Sequence, residues 1–148
     1  MSKYATPCVN PAYDELSETE VSKLPSGKGL RGGWFYILHC ETTIGGHHHP
    51  NAPIQHYCGS CKCPKIRYLR HLRGRGGRVP NVWNHKGLKY TMEYLRFFAS
   101  LDDARAYEMW YKKSVKNCKR HCPICKPEQD IQRAKRKAER AAERKVKS

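Results

Sequence analysis

The chain has 148 residues, of which 39% are hydrophobic and 28% charged; Lys and Arg outnumber Asp and Glu by 29 to 13, a formal net charge of +16. That length allows one domain with a small core, which profits from a staple such as a metal ion. No stretch approaches the roughly twenty apolar residues that span a bilayer, and no apolar run behind Met1 resembles a signal peptide, so an intracellular chain is expected.

Residues 1–27 are polar, carry the acidic run Asp14, Glu15, Glu18 and Glu20, and close on Pro25-Ser26-Gly27, which predicts a flexible acidic arm. GGWFYILHCETT, residues 32–43, is aromatic and β-branched between paired glycines and predicts a strand. Trp34, Tyr36 and Leu38 then face one side, and Phe35, Ile37 and His39 the other. From Gly45 to Pro64 prolines punctuate what reads as a loop dense in metal-ligand residue types. Lys65 to Leu72 reads as a short strand or helix, and RGRGGR from Arg73 to Arg78 reads as flexible.

Leu88, Met92, Leu95 and Phe98 recur at helical spacing, so HKGLKYTMEYLRFF, residues 85–98, predicts a helix. A second opens at Ser100, where SLDD is a capping-box variant, and runs through Tyr107 and Tyr111 to about Asn117. After Pro127, the alanine-rich IQRAKRKAERAAERKVKS lacks a hydrophobic face and is at best a marginal solvated helix. The expected class is α+β: a zinc-stapled core over 28–127, with one main strand region and two helices, and a basic tail over 128–148.

The eight cysteines of a chain expected in a reducing compartment point to metal rather than disulfides. CGSC (58–61) and HCPIC (121–125) both contain the C-x2-C spacing of a turn that aims two thiolates at one ion. Cys58, Cys61, Cys122 and Cys125 therefore form a candidate four-thiolate zinc site. Cys63, Cys118, His39, His56 and His121 are surplus donors near one pair or the other, so a Cys3His set or two ions stay open. Cys8 and Cys40 are expected to stand apart, Cys40 as a core thiol.

The basic excess predicts a polyanionic partner, nucleic acid before membrane, since no amphipathic stretch sets Trp or Phe opposite Lys and Arg. Arg70, Arg73, Arg75 and Arg78 interleave with tyrosine and glycine in RYLRHLRGRGGR, a composition suited to single-stranded RNA or DNA. Lys135, Arg136 and Lys137 form a second phosphate-binding cluster, also of the kind a nuclear import receptor reads. An enzyme is the weaker reading. HHH at 47–49 suggests a replication nickase using His47 and His49 with Tyr90 or Tyr94 as nucleophile, but the histidines lack an apolar anchor between them. The sequence contains no Gly-rich phosphate loop before a helix and no paired carboxylates in an apolar setting.

Residues 82–125 resemble the accessory non-structural NP proteins of bocaparvoviruses and related parvoviruses. The likeness rests on Trp83-Asn84, the Phe97 region, Leu101-Asp102, Tyr107, Met109-Trp110 and the closing Cys122 and Cys125, in that order. GGWFYILHCETTIGG is similar to the family's aromatic strand, including a histidine at the position of His39. The resemblance implies a non-enzymatic protein of the host nucleus that supports viral DNA replication and viral pre-mRNA processing, namely splicing and read-through of an internal polyadenylation site. Host RNA-processing or replication proteins become expected partners, and His39 becomes a rival to Cys58 or Cys61 as a zinc ligand.

Overall fold

A computed structural model describes residues 4, 6–10, 13, 23–26, 31–45 and 53–147. Three strands, β1 (Gly33–Gly45), β2 (Pro53–Cys61) and β3 (Tyr90–Phe98), form an antiparallel sheet in the order β2-β1-β3. Helices α1 (Pro64–Leu72) and α2 (Arg78–His85) separate β2 from β3, and α3 (Leu101–Trp110) and α4 (Lys126–Lys147) follow. The class is α+β, as expected, with more strands and helices than the sequence suggested. Among the described residues no helix is long and apolar enough to cross a membrane.

β1 is covered on both faces, which accounts for its continuous apolar run. Tyr36, Leu38 and Cys40 join Tyr68 and Leu72 of α1, Trp83 of α2, and Tyr90 and Met92 in one core. Phe35 and Ile37 point the other way, into a second core with Cys58 and Tyr111, against which Tyr94, Tyr107 and Cys118 pack. The alternation read from the sequence is the one the sheet uses.

The helix expected over residues 85–98 is instead the end of α2 followed by β3. Gly87, at φ +67°, stops α2. Its N–H donates to the Asn84 carbonyl at 3.1 Å and the Leu88 N–H to the Trp83 carbonyl at 2.9 Å, the paired bonds of a Schellman stop. A left-handed residue there suits glycine, so the chain leaves the helix at the point where the periodicity suggested it begins. The helical spacing of Met92, Leu95 and Phe98 arises from a bulge: Ile37 faces Tyr94 while Leu38 faces Met92, leaving Glu93 as an extra residue. Tyr90 and Met92 therefore enter the first core and Tyr94 packs on the second.

RGRGGR is not a loose linker. Gly74 sits at φ +77°, and a Cβ on it would lie 2.3 Å from the Cys8 nitrogen; one on Gly76 would lie 1.9 Å from Nδ1 of His71. The Gly77 N–H donates to that Nδ1 at 3.2 Å, so the buried His71 is left to donate from Nε2 to the Tyr36 hydroxyl at 2.7 Å. Burial, then Arg67 and Arg70, push His71 down to about 3, keeping it neutral. Asn81 binds the backbone of Tyr4, Thr6 and Cys8, and buried Asn10 donates to the Asn84 side chain and the Leu88 carbonyl, so residues 4 and 6–10 are tied to α2 and the turn after it. The acidic run Asp14–Glu20 lies outside the described residues. Gly74→Ala, forced into a left-handed backbone against the Cys8 chain, is expected to cost about 1–2 kcal/mol or more in urea unfolding. Exposed Arg75→Ala should stay within about 0.5 kcal/mol, and equal effects of the two would remove this role for Gly74.

Ser100 caps α3 as read from the sequence, its hydroxyl accepting the Asp103 N–H at 3.1 Å. The helix runs into a π-turn over Tyr111–Val115, ends at left-handed Lys116 (φ 59°), and passes through a short 3-10 turn, Cys118–Arg120. Lys126–Lys147 form α4, 22 residues long with none buried, a more continuous helix than the marginal one expected after Pro127.

Candidate metal centre

His39 and His56 stand directly opposite each other in the β1–β2 ladder. Alternation carries His39 to the same face as Phe35 and Ile37, the face on which α3 and its π-turn pack. The chain then returns from α3 through Cys118–Arg120 into a tight CPIC turn. Its backbone is held by the Cys122 N–H on the Cys118 carbonyl at 2.9 Å and the Lys126 N–H on the Cys122 carbonyl at 2.8 Å. Cys125 sits at the head of α4, its carbonyl accepting the Gln129 N–H at 3.1 Å. Tyr111 fastens this knuckle to the sheet: its hydroxyl meets Nδ1 of His121 at 2.9 Å, and the His121 ring lies edge-on to Tyr94 and Tyr111. His121 thus packs the knuckle rather than ligating.

His39 Nδ1, His56 Nε2 and the sulfurs of Cys122 and Cys125 all lie within 4.8 Å of one another. The two nitrogens are 3.1 Å apart; Cys122 and Cys125 are 3.4 and 3.5 Å from His39 Nδ1, and Cys125 is 3.4 Å from His56 Nε2. Bond lengths of about 2.3 Å to sulfur and about 2.0–2.1 Å to nitrogen in a tetrahedron require about 3.3 Å between nitrogens and about 3.5 Å from nitrogen to sulfur. The four edges just given match those figures. Hydrogen bonding alone does not explain them, because His39 Nδ1 faces three acceptor-capable atoms and has one lone pair or one proton to offer. A cation at the centre satisfies all four donors together.

The electrostatics suit that role. Burial lowers His39; burial, then His39 and Lys119, push His56 down to about 4, so both imidazoles are neutral with lone pairs available near pH 7. Burial and the neighbouring Cys122 push the Cys125 thiol up to about 11, so metal must displace its proton. The amino-terminal end of α4 offers partial positive charge to the resulting thiolate.

The candidate residues from sequence divide. His39, Cys122 and Cys125 meet here, joined by His56, which had stood only among the surplus donors. Cys58 and Cys61 do not join them, and the four-thiolate arrangement is corrected: CGSC is part of β2 rather than a turn, and residues three apart in a strand face opposite sides. Cys58 enters the second core beside Cys118, and Cys61 the first, where burial lifts its thiol to about 12. Gly59 serves the Tyr36 hydroxyl, which a Cβ would approach to 2.5 Å, rather than a metal turn. Cys63 contacts the carbonyls of Pro25 and Ser26, and Cys40 is a core thiol. His56 was recoverable only from strand register, which no local motif displays.

Arg70, Arg73, Arg75 and Arg78 are exposed at the α1–α2 junction, Arg73 being held by the Tyr13 hydroxyl and ring. Lys135, Arg136 and Lys137 are exposed on α4, which leaves from the knuckle on the other side of the sheet. The two basic groups therefore belong to different layers. His47 and His49 lie outside the described residues. Tyr90 is in a strand, 3% exposed, donating to Asn84 at 2.8 Å, with burial holding its phenol far above the usual range. Tyr94 faces the opposite core. The two hydroxyls expected on one helix face are thus on opposite sides of a sheet.

The fold and the site define an α+β domain with a His2Cys2 group close enough to bind a metal ion. No protein-family model, curated protein or solved structure matches the chain.

Proposed function

We propose that the ion is zinc and that the chain is a non-enzymatic, nucleic-acid-binding regulatory protein. The observation that carries this reading is the closed donor set: four protein ligands of borderline-soft character leave no position for water or substrate, the pattern of structural rather than catalytic zinc. The charge of +16, with arginines and lysines exposed on α4 and at the α1–α2 junction, supports a polyanionic partner. The resemblance of residues 82–125 to parvoviral NP proteins supports the finer reading. On it, the chain works in the host nucleus with replication or RNA-processing factors, favouring viral DNA synthesis and capsid message maturation.

Purified chain should contain one zinc per molecule and bind nucleic acid with an affinity that falls at least about a hundredfold between 50 and 200 mM salt, as backbone-driven contacts require. A tagged chain should accumulate in nuclei. Binding that ignores salt, or none at 50 mM, removes the nucleic-acid reading; exclusion from nuclei removes the regulatory one.

A further inference from the structure

Helix α4 presents Arg133, Arg136, Lys137 and Arg140 at i, i+3, i+4 and i+7, one face of the helix. Arg144 and Lys147 extend the stripe; Glu143, seven residues beyond Arg136, sits at its edge, and neither it nor Glu139 lines the cleft described next. The 3-10 turn of the knuckle brings Arg120 against this face, and together with Gln132 these side chains line a cleft of about 500 Å³. Arg133 with Lys137, and Arg136 with Arg140, are like-charge pairs one turn apart, a spacing that weakens an isolated helix. Nothing in the packing requires them, since no α4 residue is buried. Five cations drawn from two elements into one concavity define a place for a polyanion.

The lining distinguishes among polyanions. Single strands are gripped by stacking bases on aromatic rings, and this cleft contains none. A duplex hides its bases and presents phosphates flanking a groove. An α-helix about 10–12 Å across, and about 33 Å long at 22 residues, fits the roughly 12 Å major groove of B-form DNA. The major groove of an RNA duplex is too narrow to admit it. An anionic membrane is poorly matched, because the opposite side of α4 offers Ile131, alanines and Val146 rather than aromatic anchors.

We propose that α4, held at its base by the metal knuckle and joined by Arg120, is a docking surface for double-stranded B-form DNA. This rests on the nucleic-acid reading above and departs from the single-strand expectation attached to Arg70–Arg78. The stripe and Arg120 contact phosphates along one side of the groove, which fixes the helix on the duplex without reading its bases.

The test uses full-length, zinc-loaded chain and fluorescence anisotropy with a 20-base-pair DNA duplex, its separated strands, an RNA duplex of equal length, and phosphatidylserine vesicles. Expected is at least tenfold tighter binding to the DNA duplex than to the other three. Arg133→Gln/Arg136→Gln/Arg140→Gln should weaken duplex binding at least tenfold and lower the salt slope by about 3, at about 0.9 per phosphate contact. Arg70→Gln/Arg75→Gln should change it by less than threefold. All five positions concerned are exposed, and the visible spectrum of cobalt-substituted protein verifies that each variant keeps its Cys2His2 centre. Preference for single strands, RNA duplex or vesicles overturns the proposal, as does an α4 variant that binds like wild type while the junction variant fails; both leave a polyanion-binding role standing. Failure to bind any nucleic acid at low salt overturns this proposal and the function beneath it together.

Discussion

Cys125→Ser and His56→Ala chains should each lose stoichiometric metal and melt far below wild type, whereas Cys61→Ala should retain one ion per chain. The expected size follows from a comparison. Structural zinc sites contribute on the order of 10 kcal/mol of apparent binding energy, which is comparable with the entire stability of a small domain. The four donors come from β1, β2 and the knuckle, so losing one releases the knuckle from the sheet and with it the base of α4. Metal analysis and near-ultraviolet circular dichroism read this out. Acid should act in the same direction. The folded His56 lies near 4, below its ordinary 6.5, so its contribution is present above pH 6.5 and lost as pH falls toward 4. Protons also compete for Cys125, whose thiol lies near 11 without metal, so loading should decline steadily on acidification. A Cys125→Ser chain that binds one ion and melts like wild type refutes the centre, and a Cys61→Ala chain that loses its metal restores the four-thiolate alternative.

Phe35→Ala is expected to destabilise by about 3–5 kcal/mol in urea, a large fraction of the total. Phe35 is fully buried, with its ring centroid 4.9 Å from Tyr107 and Tyr111 and 6.2 Å from Tyr94. Removing it forfeits apolar burial and three aromatic contacts, each worth about 0.5–1.5 kcal/mol beyond area. Tyr111 also positions His121, so the knuckle should loosen and metal affinity should drop with stability. Phe35→Leu, which keeps most of the volume, should lose distinctly less. A change below about 1 kcal/mol for the alanine variant would show that the second core does not hold α3 to the sheet.

The sequence displays what local chemistry decides. The two faces of β1, the Ser100 cap and the paired cysteines of CPIC all rest on neighbours within a few residues, and each stands in the structure. Sequence and structure differ where partners are distant. β2 is polar and rich in His, Cys and Gly, and reads as a loop until β1 is laid beside it. β3 mimics a helix because one bulge shifts its apolar spacing. The Gly74 and Gly76 positions look like linker freedom until Cys8 and His71 are seen against them. For the site, one C-x2-C was a turn and the other a strand, a difference the spacing itself cannot express. The fourth ligand, His56, becomes visible only through cross-strand register.

The centre has a temporal consequence. Its imidazoles are 17 residues apart and come together as soon as the first hairpin pairs, but Cys125 lies 69 positions beyond His56. At about 5–20 residues per second, a ribosome needs several seconds to supply that remainder. Until then the hairpin offers two of the four donors, and the tetrahedral set is complete only when the CPIC turn emerges. A product stopped short of Cys122 lacks both thiolates of the four-donor set.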